Sequence, residues 1–197
     1  MTAALIPTGH LLAGETPDNA ALVDEMDHEP IVQESIPSTA EYMIGGLYDH
    51  GEPLATFQHR QIRGDTYAGG GGVYRESVAI PELDSVARTL LDELDWHGLA
   101  CIEYMRHEET GEFVLTEINP RTWQSLTSTV RVGADFPLYY WRATMGERDR
   151  IDCDYEVGVG THSLHGELEH LLSIFRNDSP SSLRSPVEFT RSPPAPI

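Results

Sequence analysis

The stretch Leu115-Thr-Glu-Ile-Asn-Pro-Arg-Thr122 sets a carboxylate, an amide and a guanidinium close together at the end of an apolar run. In an extended chain side chains alternate with a period of two, so Leu115, Glu117 and Asn119 share one face and Arg121 follows as a cation. Glu103 lies upstream in LACIEYM. A hairpin turning near Thr110-Gly111 brings Glu103 opposite Glu117 on the adjacent strand, where like charges repel. The neighbours Ile102, Phe113, Val114, Leu115 and Ile118 are apolar, and two unpaired carboxylates among them are costly unless they share a cation. Glu103, Glu117 and Asn119 offer oxygen only, which suits Mg2+ or Mn2+ better than zinc. Arg121 can hold a phosphate beside such an ion through its planar fork. Hydrolysis by two free carboxylates fits the same pattern, as does a solvated sheet surface with Arg121 in a salt bridge.

Other residues carry weaker signals. FQHRQIRGD can direct His59, Arg60 or Arg63 toward an acidic substrate or an acyl phosphate, and its alternating polarity fits a solvated edge strand equally well. GGGGVYRES lacks the spacing of a phosphate-binding P-loop and its lysine. Four adjacent glycines, Gly69 to Gly72, cost much entropy to order, so a mobile loop closing over a substrate is expected there, with Arg75 paired to Glu76 or another acid. His50, His97, His107, His162, His165 and His170 do not form a recognisable metal motif and are left without a role.

These residues need elements to position them. TPDNAALVDEMDHEP predicts a short helix capped by Thr16 or Asp18 and ended by Pro30. Strands are predicted over Ile31 to Pro37, then on either side of the turn at Asp49 to Pro53, and again over LACIEYM and FVLTEIN. PELDSVARTLLDELDW is the clearest helix, with Leu83, Val86, Leu90, Leu91 and Leu94 as its apolar stripe. FPLYYWRATMG predicts an aromatic helix ended by Gly146, with Tyr139, Tyr140 and Trp141 packing it, and HGELEHLLSIF predicts another helix. A proline-rich tail follows. A helix set among antiparallel hairpins indicates an α+β fold.

The whole chain, 197 residues, can bury a core. It holds 13 basic residues, all arginine, against 32 acidic ones, a formal charge of -19. That balance disfavours binding to a nucleic-acid backbone, which requires cations to neutralise phosphates. Acidity without lysine also suits a salty cytoplasm, where counterions screen self-repulsion. Cys101 and Cys153 read as reduced and structural, with Cys101 in an apolar strand. The opening MTAALIPTGHLLAG has no basic leader, and its apolar run is too short to cross a bilayer, so no membrane is expected and a cytoplasmic location follows.

IVQESIPSTAEYMIGG, the Glu103 position and LTEINPRT together resemble the ATP-grasp family, in particular its carboxylate-amine ligases and carbamoyl-phosphate-synthase-like members. The resemblance spans about residues 16 to 147. It implies a carboxy-terminal ATP-grasp lobe with an antiparallel sheet and packed helices, beside a truncated nucleotide-covering lobe. The implied divisions are residues 1–30 as a remnant of the amino-terminal lobe, 31–150 as the carboxy-terminal lobe, 151–176 as a helical extension and 177–197 as a flexible tail. It further implies Glu103, Glu117 and Asn119 as ligands of Mg2+ or Mn2+, and Arg121 as the phosphate-facing cation, with Arg60 and Arg63 as further catalytic candidates. Gln33, Ser35 and Ile36 look like the segment that meets adenine. Glu34 and Glu41 look like the carboxylates near the sugar, although read alone they fit a surface pair of acids. The implied activity is ligation of a small carboxylate to an amine through an acyl phosphate, with ATP consumed. The lysines that the covering lobe of this family usually supplies are absent, so a complementary subunit, a homo-oligomer, or a binding module without turnover is also implied.

Overall fold

Strand β1 (Ser38–Asp49) is covered on both faces, and its residues from Tyr42 to Tyr48 are continuously buried. Alternation along it separates two cores. Met43 and Leu47 join one cluster with Phe57, Cys101, Trp123, Phe136 and Tyr139. Tyr42, Ile44 and Tyr48 join the other with Leu83, Ala87, Leu91, Ile102 and Tyr104. A half-exposed strand would read as alternating polarity, whereas this one reads as a near-continuous apolar run broken by two glycines. Both glycines are contact surfaces. A methyl on Gly45 would lie 2.5 Å from the Trp123 ring, and one on Gly46 would lie 2.3 Å from Tyr48.

The computed structural model describes residues 16, 18–29, 31, 36–66 and 69–175. The chain divides into two units, Met1–Ile36 and Pro37–Ile197. In the first, helix α1 (Asn19–Met26) starts at Asp18, whose carboxylate accepts from the amides of Ala20 and Ala21 at 3.1 Å each. This is the capping interaction expected from the sequence, and it satisfies two of the free N–H groups of the first turn. The strand expected over Ile31 to Pro37, with Gln33, Glu34 and Ser35, lies largely outside the described residues, as do the opening segment and the proline-rich tail. Ile36 and Pro37 are described and are irregular.

The second unit is built on one six-stranded antiparallel sheet. Its strands are β1, β2 (Glu52–Thr66), β3 (Gly69–Val78), β4 (Gly98–His107), β5 (Phe113–Asn119) and β6 (Gly160–His162), in the order β5-β4-β1-β2-β3-β6. Helix α2 (Pro81–Glu93) covers one face, and α3 (Leu126–Arg131) and α4 (Phe136–Thr144) contribute to the other. Helix α5 (Leu164–Phe175) packs on β2 and β3, and its Gly166 sits against Val73 where a methyl would be 2.2 Å from that side chain. The α+β class is as expected. Among the described residues, no helix is long and apolar enough to cross a membrane.

Four local expectations are corrected. The glycine run is not a loop: it forms the first half of β3, pairing Gly72 with Gly64 of β2. The physical reason is crowding, because a methyl on Gly72 would lie 2.5 Å from the Gln61 amide oxygen and 2.8 Å from Arg75 Nε. Helix α2 buries Leu83, Ala87 and Leu91, while Val86 and Leu94 are 41% and 50% exposed. The inward stripe thus runs at intervals of four, with the small Ala87 allowing close approach to the sheet. On α4, Tyr139 is buried but Tyr140 and Trp141 face outward. Finally, the segment expected as a helical extension also supplies β6, which pairs with β3.

The phase of α2 gives a direct test. Leu91→Ala, at a fully buried site, should cost about 2–5 kcal/mol of unfolding free energy, and Leu94→Ala less than about 0.5 kcal/mol. Urea denaturation of the two variants reads this difference, and equal losses would contradict the observed helix phase.

Candidate active site

The ladder β5-β4-β1 brings carboxylates together. Glu103 pairs with Glu117 on one side and Met43 on the other, as the hairpin spacing predicts. Between the Glu103 and Tyr104 pairs, β5 carries an extra residue, Thr116, so Leu115 pairs with Tyr104. Adjacent β4 residues point to opposite faces, so this bulge turns Leu115 away from Glu117. Leu115 therefore leaves the face it was expected to share, and Thr116 and Glu117 line the cavity instead. Asn119 pairs with Cys101, in step with Glu117.

The cavity has a volume of about 390 Å3. Glu41, Glu103 and Glu117 stand on its walls with His59, Arg75 and Trp123. Glu103 is exposed at the cavity mouth, but partial desolvation raises its pKa, and Glu117 and then Glu41 raise it further; Arg121 and Arg75 oppose them. Burial also raises the pKa of Glu41. The Glu41 carboxylate accepts a hydrogen bond from Gln61 Nε2 at 2.8 Å, and the same amide donates to the Gly70 carbonyl at 3.1 Å. Gln61 thereby ties the glycine strand to the acidic wall. An excess of negative charge in a partly desolvated cavity is the electrostatic setting of a cation site.

Arg75 is the cation built into this cavity. It is only 8% exposed, and its hydrogen bonding among the described residues is one long contact, from Nη2 to Gln124 Oε1 at 3.4 Å. Burial lowers its pKa and the Glu103 charge counters that shift. A buried guanidinium with so few acceptors is poised to take an anion. Its expected partner Glu76 is engaged elsewhere, with Arg60 Nη2 at 2.7 Å. Strand alternation explains the exchange, since Arg75 pairs across the sheet with Gln61 while Glu76 pairs with Arg60 on the reverse face.

The remaining arginine candidates lie apart. Arg63 donates to Glu167 at 3.0 Å and lies over the Tyr74 ring at 5.5 Å, contacts that tie β2 to α5. Arg121 is exposed beyond β5, with Nη1 on the Thr122 carbonyl at 3.1 Å, and its charge reaches Glu103. His59, by contrast, is on the cavity wall. Its Nε2 is 3.0 Å from Ser125 Oγ, while Nδ1 has no hydrogen-bond partner among the described residues. Burial and then Arg75 push its pKa down to about 3, so the ring is neutral at ordinary pH.

A second cavity of about 270 Å3 adjoins the first, sharing Gly71, Gly72, Arg75, Gln124 and Ser125. Its other walls carry Thr127, Ser128, His162, His165 and Glu169. Sequence reading missed Arg75 as a site residue. The alternation Val73, Arg75, Ser77 was the available signal, but only the packing of β3 shows which face is inward.

No protein-family model matches the chain, and no curated protein sequence matches it. Similarity appears among solved structures. The phosphoribosylaminoimidazole carboxylase ATPase subunit from Aquifex aeolicus aligns at 18% identity over 65% of this chain and 40% of its own length, with a TM-score of 0.51. The biotin carboxylase domain of Hydrogenobacter thermophilus 2-oxoglutarate carboxylase, solved with MgADP, ADP and bicarbonate, aligns at 14% identity over 72% of this chain and 33% of its own, with a TM-score of 0.50. The chain thus spans well under half the length of either structure. The chain shares with these structures an α+β fold, an antiparallel sheet with packed helices that matches an ATP-grasp-like carboxy-terminal lobe.

Proposed function

We propose that the chain binds Mg-ATP and forms the metal-and-phosphate part of an ATP-dependent carboxylate–amine ligase. The observation that carries this reading is the joint placement of Glu41, Glu103 and Glu117 with the sparsely bonded Arg75 on one cavity. Acids alone would attract a cation; acids facing a buried arginine fit a cation together with an anion, which is the chemistry of a metal-bound phosphate.

Glu103 and Glu117 are the metal ligands in this reading, with Asn119 in step behind Glu117. Bound Mg2+, or Mn2+, would supply charge neutralisation of the phosphates. Arg75 holds the transferring phosphoryl group, Arg121 adds its charge to the Glu103 wall from outside the cavity, and Glu41 with Gln61 faces the sugar side. The resemblance assigns Gln33, Glu34, Ser35 and Ile36 to nucleotide contact, and Gln33 to Ser35 lie outside the described residues. A substrate carboxylate oxygen attacks the γ-phosphorus, the bond to the β-phosphate oxygen breaks, and ADP leaves. An amine then attacks the acyl carbon, phosphate departs, and the amine loses a proton. The second cavity meets the first at Arg75 and offers that guanidinium and the Ser125, Thr127 and Ser128 hydroxyls to the carboxylate substrate, with Asp65 and Glu169 also on its walls. His59 orients through its free Nδ1, because an imidazole with a pKa near 3 is a poor general base at neutral pH. Arg60 and Arg63 are held in ion pairs and serve the framework in this reading.

The second reading is a nucleotide- and metal-binding module that turns over only with a complementary subunit. The neutral His59 ring on the cavity wall favours it, since it supplies no general base at neutral pH. The two free thiols, Cys101 and Cys153, fit a reducing cytoplasm, and the lysine-free acidic composition fits high salt.

Calorimetry with Mg-ATP in concentrated potassium salt tests the site. Glu117→Ala and Arg75→Ala should each weaken binding by about tenfold or more, with circular dichroism unchanged. Unaltered affinity in both variants would falsify the assignment. ATP consumption screened against carboxylate and amine libraries then separates ligase from binding module.

Protonation gives two further tests. The pKa of Glu103 is raised on folding, so its ionised form is destabilising at pH 7. Glu103→Gln should therefore raise unfolding free energy in chelator at pH 7, and remove the stabilisation that Mg2+ gives the parent chain; a loss of stability in chelator would contradict the repulsion. His59 has the opposite consequence. Its folded pKa near 3 lies below the unfolded value of about 6.5, so the unfolded chain binds more protons between these limits. The stability it contributes is complete above pH 6.5 and falls as pH drops toward 3, by at most about 1.4 kcal/mol per pH unit. Urea unfolding from pH 6.5 to 4.5 should show a shallower decline for His59→Gln than for the parent, and parallel declines would refute the buried neutral ring.

A further inference from the structure

Three metal-binding side chains left without a role by their sequence positions meet at the other end of β1. Asp49, His50 and His97 each offer one donor atom, and these atoms all lie within 4.8 Å of one another. His97 Nδ1 is 3.1 Å from Asp49 Oδ1. Two ligands of one tetrahedral zinc are separated by about 3.3 Å, given bond lengths near 2.05 Å. The spacing therefore already suits two ligands on one ion.

The surroundings hold these donors in place. The second Asp49 oxygen, Oδ2, is taken by Arg148 Nη1, leaving Oδ1 as the free donor. Asp49 is the sheltered member, with a side chain 18% exposed, whereas the His97 side chain is 59% exposed. His50 Nδ1 lies 3.4 Å from Asp95 Oδ2, which leaves Nε2 as its ligating nitrogen. A carboxylate behind an imidazole fixes the ring and raises its basicity toward a metal. The two imidazole rings lie 4.8 Å apart between centroids. The β1–β2 turn that carries His50 is tied to the connection between α2 and β4 that carries His97, by a hydrogen bond from Gly51 N to the Trp96 carbonyl at 2.9 Å. Both loops are thus joined before any ion binds.

We propose that Asp49, His50 and His97 form a site for a borderline divalent transition ion, of which Zn2+ is the type. The set of two nitrogens and one oxygen differs in kind from the oxygen-only Glu103 and Glu117 set, and selects a softer ion than Mg2+. The two places are also remote. Met43 is the β1 partner of Glu103, and Asp49 is six residues farther along the strand, roughly 20 Å at 3.3 Å per residue. The His50 and His97 rings are stacked with 29° between their planes, and the exposed His50 ring turns out of that arrangement to place its donor on the ion. The fourth position is left to water or an incoming ligand, and the ion staples the β1–β2 turn to the end of α2.

Co2+ titration of chelator-treated protein tests the site in the presence of excess Mg2+, which occupies oxygen-only sites. The expected result is one equivalent of visible d–d absorption at four- or five-coordinate intensity, displaced by Zn2+. His50→Ala and His97→Ala should each weaken Co2+ binding by more than about 30-fold. Glu117→Ala and His165→Ala should leave it unchanged, the latter excluding the exposed His165–Glu169 pair. Asp95→Asn, which touches no other part of the cluster, should weaken it several-fold. No absorption in the parent protein, absorption retained in both histidine variants, or loss in His165→Ala would overturn the proposal. Because Glu117→Ala removes the proposed nucleotide metal, its result separates this site from the proposed ligase chemistry.

Discussion

Burial of β1 on both faces is the constraint from which the rest of the second unit follows. A strand with no wet side needs a helix layer on one face and a second core on the other, and α2 and the Trp123–Phe136–Tyr139 group supply them. Gly45 and Gly46 make the fit close by giving their side-chain space to the Trp123 and Tyr48 rings. The cavity begins where the Trp123 side of this core ends. Its floor is therefore set by packing, and its chemistry by the polar residues in register with Met43: His59 on β2 and Glu103 on β4.

Electrostatics then divides the sheet lengthwise. At one end the ladder stacks Glu41, Glu103 and Glu117 around a common space, with Arg75 as the interior countercharge. At the other, Asp49 is held by Arg148 and faces two imidazoles. Both arrangements hold charge that the protein neutralises only in part, in a chain already carrying a formal charge of -19. The oxygen-only donors of the first and the mixed nitrogen and oxygen donors of the second differ in hardness.

The framework around the cavity is held by ion pairs that leave Arg75 apart. Arg60 with Glu76 and Arg63 with Glu167 occupy the cations of β2, joining it to β3 and to α5. The strap after α4 adds Cys153 Sγ to the Thr56 carbonyl at 3.1 Å and Tyr155 Oη to the Val78 carbonyl at 2.8 Å. The β2–β3 edge is fastened from outside, so the side-chain-free glycine run can serve as a fixed wall.

Much of this was legible in the chain itself. Turn residues at Asp49–Pro53 and Thr110–Gly111 were enough to place both hairpins, and the distance from Glu103 to Glu117 was enough to pair them, because antiparallel register follows from where a hairpin turns. Proline likewise marked the start of α2, a Thr16 or Asp18 cap that of α1, and Gly146 the end of α4. Other features depend on contacts between residues remote in sequence. Gly69 to Gly72 look mobile until Gln61 and Arg75 are laid across them. Arg60, Arg63 and Arg75 are equivalent cations until β3 and α5 assign two of them to acids. Asp49, His50 and His97 become neighbours only when the α2–β4 connection returns to the first turn. Local periodicity and turn chemistry determine elements and nearest-strand register, whereas inward face, counterion and donor cluster are decided by long-range packing, which no short window of sequence contains.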